Sequence, residues 1–169
     1  LMLAGNDEFA AVGDLDLRDN AADDDLVITG AGAATTIIQA CAVEQQTAEC
    51  PAGQGIVDRV LHVPDDAHVA ISGVTIRHGR AGNGSGIWVQ RSNGGTALAL
   101  TDVVVTKNGI LNGATASDGG GILNWYGTIT LTRTILSDNA SSRGGGILNM
   151  FSDNSGTATL VATQSTISG

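Results

Sequence analysis

Apolar and polar residues alternate with a period of two through most of this chain, and the phase of the alternation repeats from one segment to the next. Thr128–Thr132 reads TITLT and Ala97–Thr101 reads ALALT, each with its aliphatic side chains on one face. Successive side chains of a strand point to opposite faces, so the pattern predicts strands with one buried side. Helical spacing of apolar positions is nowhere sustained. Longer segments follow one template: VAISGVTIRHG from Val69, TALALTDVVVTKN from Thr96, GTITLTRTILSDN from Gly127 and GTATLVATQSTISG from Gly156. Most carry an alternating run, a polar break and a second short β-branched run. The hexapeptide GGGILN precedes the last two, at Gly119–Asn124 and Gly144–Asn149, 25 residues apart, and SGIW at Ser85–Trp88 holds the equivalent place one unit earlier.

Aligning these units stacks Ile71, Leu100, Leu131 and Ala162 in one column and Ile76, Val105, Leu136 and Ile167 in another, with Ile87, Ile122 and Ile147 in a third. Units of roughly 25–35 residues that hold two or three short strands cannot bury an apolar face alone, but stacking them does so. An antiparallel sandwich competes, because Asn83-Gly84, Asn93-Gly94 and Asn108-Gly109 are hairpin signals. Hairpin strands pair with sequence neighbours, however, and need no identity one repeat away. The predicted fold is therefore all-β, a right-handed parallel β-helix (solenoid) of about five coils. It forms a single domain over 1–169, expected to be a segment of a longer parent, with residues 42–55 as an inserted loop. The glycines of GGGILN are predicted to form a coil corner, where positive φ and close backbone approach are needed. Asn124 is predicted to stack on Asn149.

The pattern GGGI-x-N, a short gap and then alternating Thr and aliphatic residues resembles the repeat of bacterial β-helix proteins of the pectate-lyase-like superfamily, including polymorphic-outer-membrane-protein-like surface proteins. The opening stretch LMLAGNDEFAAVGDLDLRDN, followed by LVITGAGAATTII, DRVLHV and VAISGVTIRHG, is similar to the first coils of bacterial proteins that carry a CSLREA motif upstream, a motif not found here. The resemblance covers essentially the whole chain and speaks to fold more than to activity.

Composition changes this picture in two ways. Only five residues are aromatic while 24 are glycine, so small and aliphatic side chains must fill the core. The net charge is −9 and the eight basic residues are scattered, which argues against nucleic-acid or anionic-membrane partners. No apolar run reaches the 18–20 residues or so of a membrane-spanning helix. Cys41 and Cys50 bracket the polar stretch AVEQQTAE, a spacing that suits a disulfide in an exported protein, with two unpaired thiols as the alternative. The expected location is extracellular or at the cell surface.

Candidate chemistry is sparse. Asp102 and Arg133 share a column with Gly73 and Gln164, and Lys107 shares another with Asp138; both read as cross-coil ion pairs. Asp14, Asp16 and Asp19 are candidate ligands for calcium, although the run from Gly13 to Asp25 fails the EF-hand pattern and no cofactor is otherwise expected. The alternation Asp14-Leu15-Asp16-Leu17 predicts a strand with its carboxylates in solvent. VITGAGAAT lacks both the third glycine and the following helix of a dinucleotide loop. None of His62, His68 and His78 has a partner at metal or catalytic spacing. Trp88, Trp125, Tyr126 and Phe151 are candidate glycan-stacking residues, the alternative being lids over strand ends. A threonine array of the kind that binds ice is broken by Ala97, Ala99 and Val161. These observations favour a non-catalytic structural or adhesive module, with end-to-end self-association into filaments and a glycan or host-surface ligand as expected partners. A polysaccharide lyase or glycoside hydrolase is the alternative.

Overall fold

The computed structural model describes residues 14–17, 25–40, 58–64, 66–90, 95–111, 114–151 and 156–168. The expected pairing of Cys41 with Cys50, the inserted loop and Asp19 lie outside them. Five coils follow one another, each contributing three strands. The first holds β1 (Leu15–Asp16), β2 (Leu26–Thr29) and β3 (Ile37–Gln39), and the second β4 (Leu61–Val63), β5 (His68–Ser72) and β6 (Thr75–Arg77). The third holds β7 (Ile87–Gln90), β8 (Ala97–Thr101) and β9 (Val104–Thr106). After a hairpin of β10 (Ile110–Leu111) and β11 (Ala114–Asp118), the fourth coil holds β12 (Ile122–Trp125), β13 (Thr128–Thr132) and β14 (Ile135–Ser137). Beyond β15 (Ser141–Arg143), the fifth holds β16 (Ile147–Met150), β17 (Thr159–Thr163) and β18 (Thr166–Ile167).

Equivalent strands pair in parallel into three five-stranded sheets, ordered β1-β4-β7-β12-β16, β2-β5-β8-β13-β17 and β3-β6-β9-β14-β18. The chain is thus an all-β parallel β-helix of five coils, and its register follows the columns read from the sequence. Ile28, Ile71, Leu100, Leu131 and Ala162 stand in line, as do Ile38, Ile76, Val105, Leu136 and Ile167. In the first sheet the line is Leu15, Leu61, Ile87, Ile122 and Ile147. These columns make up much of one continuous core of aliphatic side chains. Among the described residues one antiparallel pair occurs, β10 with β11, and β11 then pairs in parallel with β15 as a small fourth sheet.

The corners are as periodic as the strands. Gly73, Asp102, Arg133 and Gln164, aligned between the second and third sheets, all have φ between 48° and 62°. His78, Lys107 and Asp138, which follow the third-sheet strands, repeat the left-handed conformation at 64°, 56° and 54°. That conformation costs a non-glycine residue about 1–2 kcal/mol, so each coil must repay it through pairing with its neighbours.

Within GGGILN the glycines have different tasks. The first, Gly119 or Gly144, is left-handed at 58° or 64°. The third, Gly121, lies against the next coil, where a Cβ would overlap the carbonyl oxygen of Gly146. Gly121→Ala is expected to cost about 1–3 kcal/mol through that overlap, whereas at Gly82 an added Cβ meets nothing within 4 Å. Urea denaturation should show a clearly lowered midpoint for Gly121→Ala and a change within about 0.5 kcal/mol for Gly82→Ala.

Candidate functional site

Two kinds of polar group are buried in the stack, and the first is structural. Asn108 and Asn139 occupy one column beside Gly79. The Oδ1 of Asn108 accepts the Gly79 N–H at 2.9 Å, and the Oδ1 of Asn139 accepts the Asn108 N–H at 3.1 Å. Their Nδ2 groups donate back to the Ile76 and Val105 carbonyls at 3.2 and 2.8 Å. Each asparagine therefore satisfies a donor and an acceptor of the preceding coil at a corner where no strand can. The expected Asn124–Asn149 ladder is also present, with the Asn124 Nδ2 donating to the Asn149 Oδ1 at 2.6 Å.

The second group lies on the face of the first sheet opposite its core columns. There Asp16, His62, Trp88, Leu123 and Leu148 stand in one line across all five coils. Asp14, just ahead of β1, and Arg59, just ahead of β4, extend it. The Arg59 Nη1 donates to the Asp14 Oδ2 at 3.0 Å. The His62 Nδ1 faces the Asp16 Oδ1 at 2.9 Å, and its Nε2 faces the Gln90 Oε1 at 3.1 Å. The Trp88 ring stacks on the His62 imidazole at 4.9 Å between centroids, and the Arg59 guanidinium lies 4.6 Å from the centre of the same ring.

Carboxylates predicted to face solvent are thus buried: Asp14 is 5% exposed, and the Asp16 and His62 side chains are 5% and 8% exposed. The reason is non-local. Their cationic and imidazole partners arrive one coil later, and alternation within β1 reveals two faces without saying what the polar face meets. Burial pushes the Asp14 carboxyl above its ordinary value, an effect partly opposed by the hydrogen bond and charge of Arg59 and reinforced by Asp58 and Asp16. Among the described residues, the Asp14 Oδ1 and the Trp88 Nε1 have no hydrogen-bond partner. Asp14, Asp16 and His62 each offer one ligand atom, and these atoms lie within 4.8 Å of one another. His62 was not foreseen as their partner. Its signal in the sequence was the match of Leu15-Asp16-Leu17 to Leu61-His62-Val63 across the inserted loop.

The other candidates are dispersed. Trp88 is 8% exposed and enclosed by His62 and Arg59. Trp125 aligns with Gln90 and Met150 and is half-buried, as is Tyr126, which is left-handed at 67°. Phe151 is 59% exposed. Asp102 and Arg133 form a two-pronged surface pair, Nε donating to Oδ1 at 2.7 Å and Nη2 to Oδ2 at 2.8 Å, as the shared column implied. The Arg133 hydrogen bond holds the Asp102 carboxyl below its usual value. Arg143 grips Asp118 in the same way at 2.6 Å.

His78 is a separate buried group whose Nδ1 has no partner among the described residues. Burial, with the Arg77 and Lys107 charges, pushes its imidazole from 6.5 down to about 4. Between those values the unfolded chain binds a proton that the folded chain does not, so His78 makes stability rise with pH across this window. Stability is lost as pH falls from 6.5 through about 4. Urea midpoints should show this slope, and His78→Asn, which tolerates the left-handed corner, should flatten it; an unchanged slope would show that His78 is not its source.

Compared with models of known protein families, with curated proteins and with solved structures, the chain matches none of them.

Proposed function

We propose that this chain is a non-catalytic extracellular module, a rigid β-helical spacer or adhesive segment. The observation that carries the reading is the use to which its polar side chains are put. Buried asparagines clamp one coil to the next, and the surface arginines Arg133 and Arg143 bind carboxylates of the preceding turn of chain. Long columns of small side chains cover the outer face of the second sheet: Thr29, Ser72, Thr101, Thr132 and Thr163 form one, and Val27, Ala70, Ala99, Thr130 and Val161 another. A rod of this kind sets distances and presents surface. The GGGI-x-N pattern, with its likeness to surface-exposed members of the pectate-lyase-like superfamily and to CSLREA-type proteins, supports the same reading and the extracellular location.

End-to-end association of copies belongs to this proposal. Among the described strands β16, β17 and β18 each pair with one neighbour, and a strand edge of this kind pairs readily with a further strand, whether of the same chain or of a second copy. Phe151, close after β16, offers an exposed ring to a sugar face. The alternative, a polysaccharide lyase or hydrolase, needs carboxylates that a polymer can reach. The Asp14, Asp16 and His62 side chains are no more than 8% exposed.

Incubating the intact protein with acidic and neutral polysaccharides, while following ultraviolet absorbance and new reducing ends, should show no product. The same preparation should be retained on a glycan array or sediment as concentration-dependent assemblies. Catalytic turnover of any polysaccharide would overturn the reading, and so would a protein that remains monomeric at high concentration and is retained by no glycan.

A further inference from the structure

We infer that Asp14, Asp16 and His62 form a site for a divalent ion of the zinc class, which staples the first coil to the second. Two observations converge on it. First, the His62 Nε2 sits 3.1 Å from the Gln90 Oε1; an N–H donated there leaves the Nδ1 lone pair facing the Asp16 Oδ1 at 2.9 Å. In that tautomer the two lone pairs face the same space and are available as ligands, and imidazole that donates through one nitrogen and ligates through the other is the usual arrangement at metal sites.

Second, the Arg59 Nη1 donates to the Asp14 Oδ2, and among the described residues the buried Oδ1 has no hydrogen-bond partner. Hydrogen bonding at the non-ligating oxygen is how a coordinating carboxylate is commonly held in place.

Geometry permits coordination with small movements. Three atoms no more than 4.8 Å apart always share a point within about 2.8 Å of each, and zinc bonds to nitrogen or oxygen are about 2.0–2.2 Å. Side-chain shifts of well under 1 Å close the difference. The donor set also selects the ion. Calcium takes six to eight oxygens, whereas one imidazole with two carboxylates suits zinc, cobalt or a similar first-row ion. Asp16 and His62 are 46 residues apart, so coordination closes a long loop of chain, and ion binding becomes coil stability.

The test uses the intact oxidised protein, stripped with a chelator and titrated with zinc, cobalt(II) or calcium chloride alone. One zinc should bind per chain, the melting temperature should rise with zinc concentration, and calcium should have little effect. Cobalt(II) should give the visible bands of a nitrogen–oxygen site, and zinc, which is diamagnetic, should shift the ring NMR signals of His62 while leaving those of His68 and His78 in place. His62→Gln and Asp14→Asn should lower zinc affinity tenfold or more with the far-ultraviolet circular dichroism unchanged. The cobalt spectra need no variant, so a misfolded substitution does not remove the test. Absence of binding at millimolar zinc, thiolate charge-transfer bands that place the ion on Cys41 and Cys50, shifts at His68 or His78 instead, or a calcium preference indifferent to His62→Gln would each overturn the site.

Discussion

Backbone pairing between residues one coil apart is the constraint on which this structure depends. Strands of a parallel sheet lie about 4.8 Å apart, and a coil meets that spacing on all three sides only if its corners meet it too. Several corner peptide groups keep the coil-to-coil pairing, as in the Gly73, Asp102 and Arg133 N–H groups that donate to Thr101, Thr132 and Thr163, and side chains satisfy others. Here the left-handed residues are stacked in columns, from Gly73 to Gln164 and from His78 to Asp138. Beside them, Asn108 and Asn139 convert the corner into a hydrogen-bonded ladder. Gly86 and Gly121 close over the two amides, and a Cβ on either would press on the asparagine side chain beneath. Glycine above and asparagine below thus form one device, repeated at successive coils.

The same constraint explains which features could be read from the chain. Column identity was legible because a stacked coil meets the same environment one repeat later. Ile122 over Ile147 and Asn124 over Asn149 follow from sequence alignment alone, and the observed register is the same. The corner glycines were legible as a class, whereas their division into a left-handed first and a closely packed third glycine required coordinates. Asp102 with Arg133 was legible because both members sit in aligned units. The Asp14, Asp16, Arg59 and His62 cluster was not. It joins the first coil to the second across the inserted loop, where repeat spacing breaks down. Alternation distinguishes the two faces of a strand, but the burial of the polar face depends on residues brought in from elsewhere in the chain.

A rod built from such coils separates its tasks by face. Aliphatic columns face inward, small hydroxyl and methyl side chains cover the outer face of the second sheet, and the ionisable cluster lies across the first two coils of the first sheet. Its stacking of Trp88 on His62 and beneath Arg59 places large side chains over the part of the stack where the repeat is least regular. The first coils therefore add polar and aromatic contacts to the aliphatic columns that run through the stack, and the third and fourth add asparagine ladders. This difference suits a module whose role is to hold shape and present surface.

Coupling between Asn108 and Asn139 tests most directly whether corner ladders bind the coils together. In a double-mutant cycle of Asn108→Ala and Asn139→Ala, followed by urea denaturation, the two residues lie 31 positions apart in the chain but share a hydrogen bond of 3.0 Å. The stacked coil predicts an interaction energy of about 1 kcal/mol or more between them. Single effects that add to within about 0.3 kcal/mol would contradict it.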